Sequence, residues 1–240
     1  MKKAFIISGV LIIAAVVLAV VFNVVGGPVD TRNFDVDPFT GISIGGAFRV
    51  EFRESDTFAV VIEMREDQFA HHNVTVTNGI LRIYQTGILN NFLNFDFGRN
   101  APRVYIYAPY LSHITLSGAA RTVNSFPLRG DSVAINTSGS ARGTFGVDTQ
   151  TLTVASSGSS NVTISGNAAN ATINTSGSVR FNGFDLQTIT ADVNSSGSSR
   201  VNISVLGQLS ANSSGSSRVR YSGDPSVNSR TSGSSTVRQN

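Results

Sequence analysis

This 240-residue sequence predicts an all-β fold: a parallel β-solenoid, or β-helix, with about 20 residues per coil, preceded by one N-terminal transmembrane helix. Three observations predict the solenoid. Glycines recur at Gly118, Gly139, Gly158, Gly177, Gly197, Gly215 and Gly233, at intervals of 21, 19, 19, 20, 18 and 18, and a fixed period of this size marks stacked repeats. Ser, Thr, Asn, Gly and Val dominate the repeats; they are poor helix formers, and they suit strands and turns. Apolar residues also alternate. Counted from each glycine, position −4 is Ile114, Ile135, Val154, Ile173, Val193, Ala211 and Ser229, position +4 includes Val162, Phe181, Val201, Val219 and Val237, and position +6 includes Phe145, Ile164, Ile203 and Tyr221. Even offsets are apolar and odd ones mostly polar, so one face of each strand turns inward.

The segments follow in chain order. Lys2 and Lys3 precede an apolar run from Ala4 to Val25, and a spanning helix needs about 20 such residues. Residues 1–27 are therefore expected to be cytoplasmic lysines and an uncleaved signal anchor, with the lysines held inside the cell. A cleaved signal, using the small-residue pattern Val24-Val25-Gly26, is the alternative and would give a secreted or periplasmic protein. Residues 28–38 are expected to be a short linker. Residues 39–240 read as one solenoid domain, with a strand-rich N-terminal part at 39–117 and Ser/Gly repeats at 118–240. In the first part, runs from Ile42 to Phe52, Phe58 to Met64, Val74 to Tyr84 and Arg103 to Pro109 alternate. Asn78-Gly79 between two half-runs is a two-residue hairpin signal. Gly46 followed by Arg49 repeats the later glycine phrase, so this part is expected to begin the same sheets. Each repeat is expected to give two short strands joined by tight bends. Positions −2, 0 and +2, such as Ser195, Gly197 and Ser199, are small; on inward parity they make a narrow wall, with hydroxyls bonded to each other or to the backbone.

The run from Tyr107 to Val123, the phrases INTSGSARGTF, LTVASSGSSNVTISG and LSANSSGSSRVRYSGDPSV, and the YSGDP of Tyr221 to Pro225 together resemble the bacterial head GIN domain family, labelled as auto-transporter adhesins. The resemblance spans roughly residues 39–238. It implies an extracytoplasmic β-helical domain, often membrane-anchored, with no established activity. No transporter barrel follows the repeats before Asn240, so transport is not expected.

Charge is unevenly placed. Residues 28–117 hold 7 Arg and 10 Asp or Glu; residues 118–240 hold 9 Arg and 5. Arginine recurs at offset +3: Arg121, Arg142, Arg180, Arg200 and Arg218, with Asn161 and Thr236 at the remaining repeats and Arg49 in the earlier phrase. An odd offset faces outward, so stacked coils would align these residues. Two readings stand: a stripe that binds a polyanion such as an acidic glycan, or solvated cations that keep a serine-rich face soluble. Asn136, Asn174, Asn194 and Asn212 at −3 are expected to form a structural ladder. Phe92, Phe95 and Phe97, in the stretch from Gly87 to Asn100, are a candidate apolar interaction loop or a flap folded onto the cap.

Catalysis finds no support. No Gly-x-Ser-x-Gly elbow occurs, cysteine is absent, and His71, His72 and His113 lack metal-ligand spacing, so no catalytic, metal-binding or cofactor-binding residues are expected. His71-His72 is expected in a surface turn. Asp131, Asp148, Asp185, Asp192 and Asp224 fall at different offsets and do not stack as a carboxylate pair would. The reading is a single-pass, membrane-anchored binding or adhesion module of the cell envelope, held by residues 4–25. Its expected partners are an acidic glycan or an envelope protein, with weak self-association and no nucleic acid. The alternatives are a scaffold that docks a signalling partner and, last, a glycan-active enzyme.

Overall fold

The structure, a computed structural model, describes residues 28–85 and 101–240. In chain order the strands are β1 (Val29–Phe34), β2 (Gly41–Gly46), β3 (Arg49–Glu54), β4 (Ala59–Arg65), β5 (His72–Thr77), β6 (Ile80–Gln85), β7 (Arg103–Ala108), β8 (His113–Gly118) and β9 (Arg121–Thr122). The longer β10 (Phe126–Thr137), β11 (Arg142–Ser156), β12 (Asn161–Thr175), β13 (Arg180–Ser195) and β14 (Arg200–Ser213) follow, then β15 (Arg218–Ser222), β16 (Ser226–Thr231) and β17 (Thr236–Gln239). One six-residue 3-10 helix, Glu66–His71, joins β4 to β5. The architecture is an all-β parallel solenoid of about seven turns with coils of about 19 residues.

The repeat half follows the alternation. Ile114, Ile135, Val154, Ile173, Val193 and Ala211 stand opposite one another on successive coils, and each is fully buried. The same parity buries Val162, Val201 and Val219 at +4 and Phe145, Ile164 and Ile203 at +6. Each coil has two inward-facing runs, but its hydrogen-bonded ladder carries on round the second corner. In β11, residues 142–149 and 151–156 all pair with β12, and the parity flips where Gln150 and Thr151 are both exposed. The expected pair of short strands per repeat is thus one strand of 14 to 16 residues in β11 to β14.

The narrow wall is corrected in one respect. Positions −2 and +2 do point inward: Thr137, Ser156, Thr175, Ser195 and Ser213, then Ser160, Ser199 and Ser217, are buried. The glycine between them is exposed at the tip of the bend. Gly177 has φ +87°, and a Cβ there would lie 2.6 Å from the carbonyl oxygen of Gly158 on the next coil. Two demands therefore meet at one position, a left-handed backbone and the close stacking of coils. Most of these buried hydroxyls pair as expected, but Ser213 Oγ is buried with no hydrogen-bond partner among the described residues. Thr137 Oγ1 and Ser156 Oγ are 2.8 Å apart, Thr175 Oγ1 donates to Ser195 Oγ at 3.0 Å, and Ser199 Oγ donates to the Ser196 carbonyl at 2.9 Å.

The N-terminal part does begin the same sheets, but not in chain order. β2 lies between β6 and β8, and β3 between β7 and β9, all parallel. The first coil in sequence is thus the second in space. Antiparallel strands cover the outer coil: β4 pairs with β7, β1 with β4, and β5 with β6. Covering the end removes an open parallel edge that would otherwise recruit other chains. The predicted hairpin joins β5 and β6 at Asn78 and Gly79, with φ 53° and 70°. Residues 29–34, expected within a linker, form β1 because Val29 to Phe34 pair in register with Arg65 to Val60. Phe52, Phe126 and Phe145 carry the core from cap to repeats, with centroids 5.4 and 6.3 Å apart. The expected transmembrane segment at 4–25 and the candidate interaction stretch bearing Phe92, Phe95 and Phe97 lie outside the described residues.

Candidate binding face

The arginines at +3 come into one column. Register pairs run Arg103–Arg49, Arg49–Arg121, Arg121–Arg142, Arg142–Asn161, Asn161–Arg180, Arg180–Arg200, Arg200–Arg218 and Arg218–Thr236. Adjacent rungs of a sheet are about 4.8 Å apart. Arg142, Arg180, Arg200 and Arg218 each open a strand just after the glycine bend, between two buried residues: Ala141 and Gly143 flank Arg142, and Ser199 and Val201 flank Arg200. Arg142, Arg180 and Arg200 are exposed; Arg121 and Arg218 are half-buried.

The two ends of the column differ electrostatically. At the cap end, Arg103 has its pKa raised by hydrogen bonding to Tyr105 and by the charges of Glu63 and Glu51. In the repeats, none of Arg121, Arg142, Arg180, Arg200 and Arg218 takes part in the ion pairs found among the described residues. Those pairs are Arg32–Asp30, Arg53–Glu51, Arg65–Asp67 and Arg129–Glu54, and every acid among them belongs to the N-terminal part. Like charges on neighbouring rungs repel, so an anion laid along the column relieves a standing cost.

Sequence reasoning left Arg103 out of this column because no glycine phrase precedes it. The usable signal is a different one: Arg49-Val50, Arg103-Val104, Arg200-Val201 and Arg218-Val219 each start a strand with an outward cation and a buried valine. Beyond the glycine corner lies a groove of about 730 Å³, floored by the backbone of the −2 residues and walled by the asparagine and serine columns at −3 and −1. The asparagine ladder exists in part. Asn194 Nδ2 donates to Asn174 Oδ1 and Asn212 Nδ2 to Asn194 Oδ1, both at 3.1 Å, while Ala155 separates Asn136 from the rest.

The remaining candidates stay apart. Asp148, Asp185 and Asp192 have neutral or basic residues opposite them on adjacent coils. His71 ends the 3-10 helix and is exposed. His72 is half-buried against Phe48, its Nδ1 2.7 Å from the Gln68 carbonyl oxygen, and burial lowers its pKa. Among the described residues no group of three His, Cys, Asp or Glu could hold a metal ion, and no helix is long and apolar enough to cross a membrane.

The family described as "Putative auto-transporter adhesin, head GIN domain" matches residues 38–225, most of the chain. The chain belongs to the head GIN domain family. Solved structures share this fold. A "putative adhesin" from Bacteroides fragilis superposes with a TM-score of 0.79 at 20% identity, over 88% of this chain and 97% of its own. A "Putative lipid binding protein" from Parabacteroides distasonis gives 0.70 at 22%, over 89% and 97%. A "putative adhesin" from Parabacteroides merdae gives 0.67 at 19%, over 89% and 96%. No curated protein matches. The family and these neighbours carry the names of binding or adhesion proteins, and at such identities the likeness of the structures to this head GIN domain is one of fold.

Proposed function

We propose that this head GIN domain is a binding module of the cell envelope that engages a polyanion along its arginine column, with residues 4–25 as its membrane anchor and the solenoid outside the cell. The observation that carries the reading is the in-register column itself, in which five arginines of the repeats pair with no carboxylate among the described residues. A cation with no partner on a face of neutral serine, threonine and asparagine side chains is arranged for an outside anion.

The test is equilibrium binding to an acidic polymer and its neutral analogue at rising salt. Binding should favour the acidic form and fade steeply, because screening acts over about 8 Å at physiological ionic strength. Changing Arg180, Arg200 and Arg218 together to Gln should remove most of it without loss of the fold. Affinity that survives this triple change would return the arginines to a solubilising role. Protease accessibility of the solenoid in intact cells tests the placement outside the membrane, and complete protection would overturn it.

A further inference from the structure

The arginine column does not stand alone on its face. On one side runs a column of exposed hydroxyls at +1: Ser140, Ser159, Ser178, Ser198 and Ser216. On the other, at +5, run Thr144, Thr163, Asn182 and Asn202, with Asn202 Nδ2 donating to Asn182 Oδ1 at 3.5 Å. The Arg142, Arg180 and Arg200 rungs thus each offer one guanidinium between neutral hydrogen-bonding groups, while the Arg218 rung carries a second, Arg220, at +5 and the Asn161 rung none. At the lower end of this face, Asn202 Oδ1 and Arg220 Nε stand on neighbouring coils as register partners and are buried with no hydrogen-bond partner. One is an acceptor and the other a donor, and native proteins rarely leave such groups unpaired. Both atoms lie beneath the surface, and as facing donor and acceptor they can pair with each other.

Spacing narrows the chemistry. The cations repeat once per rung, about 4.8 Å, which is close to the advance of one hexopyranose unit in an extended chain. Phosphates along one strand of a DNA duplex repeat at about 3.4 Å, so they lose step with the rungs within three coils. Single-stranded nucleic acid also needs aromatic platforms for its bases, and the +1, +3 and +5 columns from Ser140 to Arg220 hold none. A carboxylate meets a guanidinium as a planar bidentate pair, and its ring hydroxyls meet serine and asparagine.

We propose that the ligand is a linear acidic polysaccharide with one carboxylate per sugar, lying along the solenoid axis with one sugar to each coil from Arg180 to Arg218. The proposal rests on the polyanion reading above and adds the class and the register. Asn161 then has a defined meaning: it is the neutral rung that separates Arg142 from the three-arginine run.

The test uses the full-length chain in neutral detergent. The probes are oligogalacturonates of increasing length, polygalacturonate, its methyl ester, polyphosphate and single-stranded DNA. Affinity for the oligomers should climb with each sugar up to the trimer and then pause. Asn161→Arg should lift the pause, so that longer oligomers gain roughly tenfold, the scale of one charge-assisted pair, while the trimer changes little. Arg200→Gln, at an exposed position, is the second variant; it removes the central rung, so it should erase the advantage of dimer over single sugar while the trimer, which still spans Arg180 and Arg218, stays ahead of the dimer. Polyphosphate or DNA binding as tightly per charge, or affinity rising evenly with length whatever stands at position 161, would overturn the glycan and its register while leaving the polyanion reading intact. Equal binding of polygalacturonate and its methyl ester, with none to polyphosphate or DNA, would sink both.

Discussion

The capped end and the repeat end of this molecule solve the same problem by different means. Both must bury an apolar strand face and satisfy the backbone. The cap does so with antiparallel strands, a hairpin and one 3-10 helix, and its charges are matched within it, as in Arg65–Asp67 and Arg53–Glu51. The repeats use a single coil again and again, so every residue meets its own equivalent on the next rung: Ile173 on Val193, Asn194 on Asn212, Arg200 on Arg218. Repetition converts a side-chain choice into a column. Where the choice is isoleucine, that deepens the core; where it is asparagine, it makes a hydrogen-bonded ladder; where it is arginine, it concentrates charge that no ion pair among the described residues offsets.

The sharpest way to break the repeat half is at its core. Val201 is fully buried and Arg200 beside it is exposed. Val201→Asp should cost about 3–5 kcal/mol or more, as an unpaired buried charge does, and melting temperature would show it at once. A destabilisation no larger than that of Arg200→Ala would mean the parity is wrong.

Glycine sets the two halves against each other more finely. Gly177 meets the carbonyl of Gly158, whereas nothing lies within 4 Å of a Cβ at Gly79 in the cap hairpin, although both have positive φ. Gly79→Ala should cost about 1–2 kcal/mol, the strain of a left-handed residue. Gly177→Ala adds a backbone clash and should cost about twice that. Equal costs by chemical denaturation would show that coils can part at the corner without penalty.

Acid should find the cap first. His72 has its folded pKa lowered by burial, so below the ordinary histidine value near 6.5 the unfolded chain binds a proton that the folded cap resists. Stability from this group is full above that value and is lost as pH falls toward the lowered one. Hydrogen exchange at pH 5 against pH 7 should show β5 and β6 opening more readily, and His72→Gln should flatten the difference. A loss spread evenly over β11 to β14 would contradict it. The smallest effect belongs to Arg200→Ala, which should stay within about 0.5 kcal/mol, as surface changes do.

The same contrast decides what could be read in advance. The coil period, the inward parity at −4, +4 and +6, and the arginine and asparagine columns were legible because each is stated several times in the chain. The hairpin at Asn78-Gly79 was legible because its chemistry is local. The order of coils in the cap was not. Nothing in the run from Gly41 to Glu54 says that β6 and β7 will stack outside it, since that depends on the pairing of strands distant in sequence. β1 was missed because Asp30, Arg32 and Asn33 look like linker, and an edge strand needs only its backbone to pair. The glycine was placed inside because counting by two through the phrase hides a corner, where parity restarts: Ser195 and Ser199 face in, and Gly197 between them faces out.

One consequence follows from the uniform register of the glycine corners. Because each coil touches only its neighbours, a duplication of one whole period can enter the chain without redesign, and it adds a rung to every column at the same time. The length of the solenoid and the number of residues in each column therefore grow together, in equal steps, so that one duplication changes both.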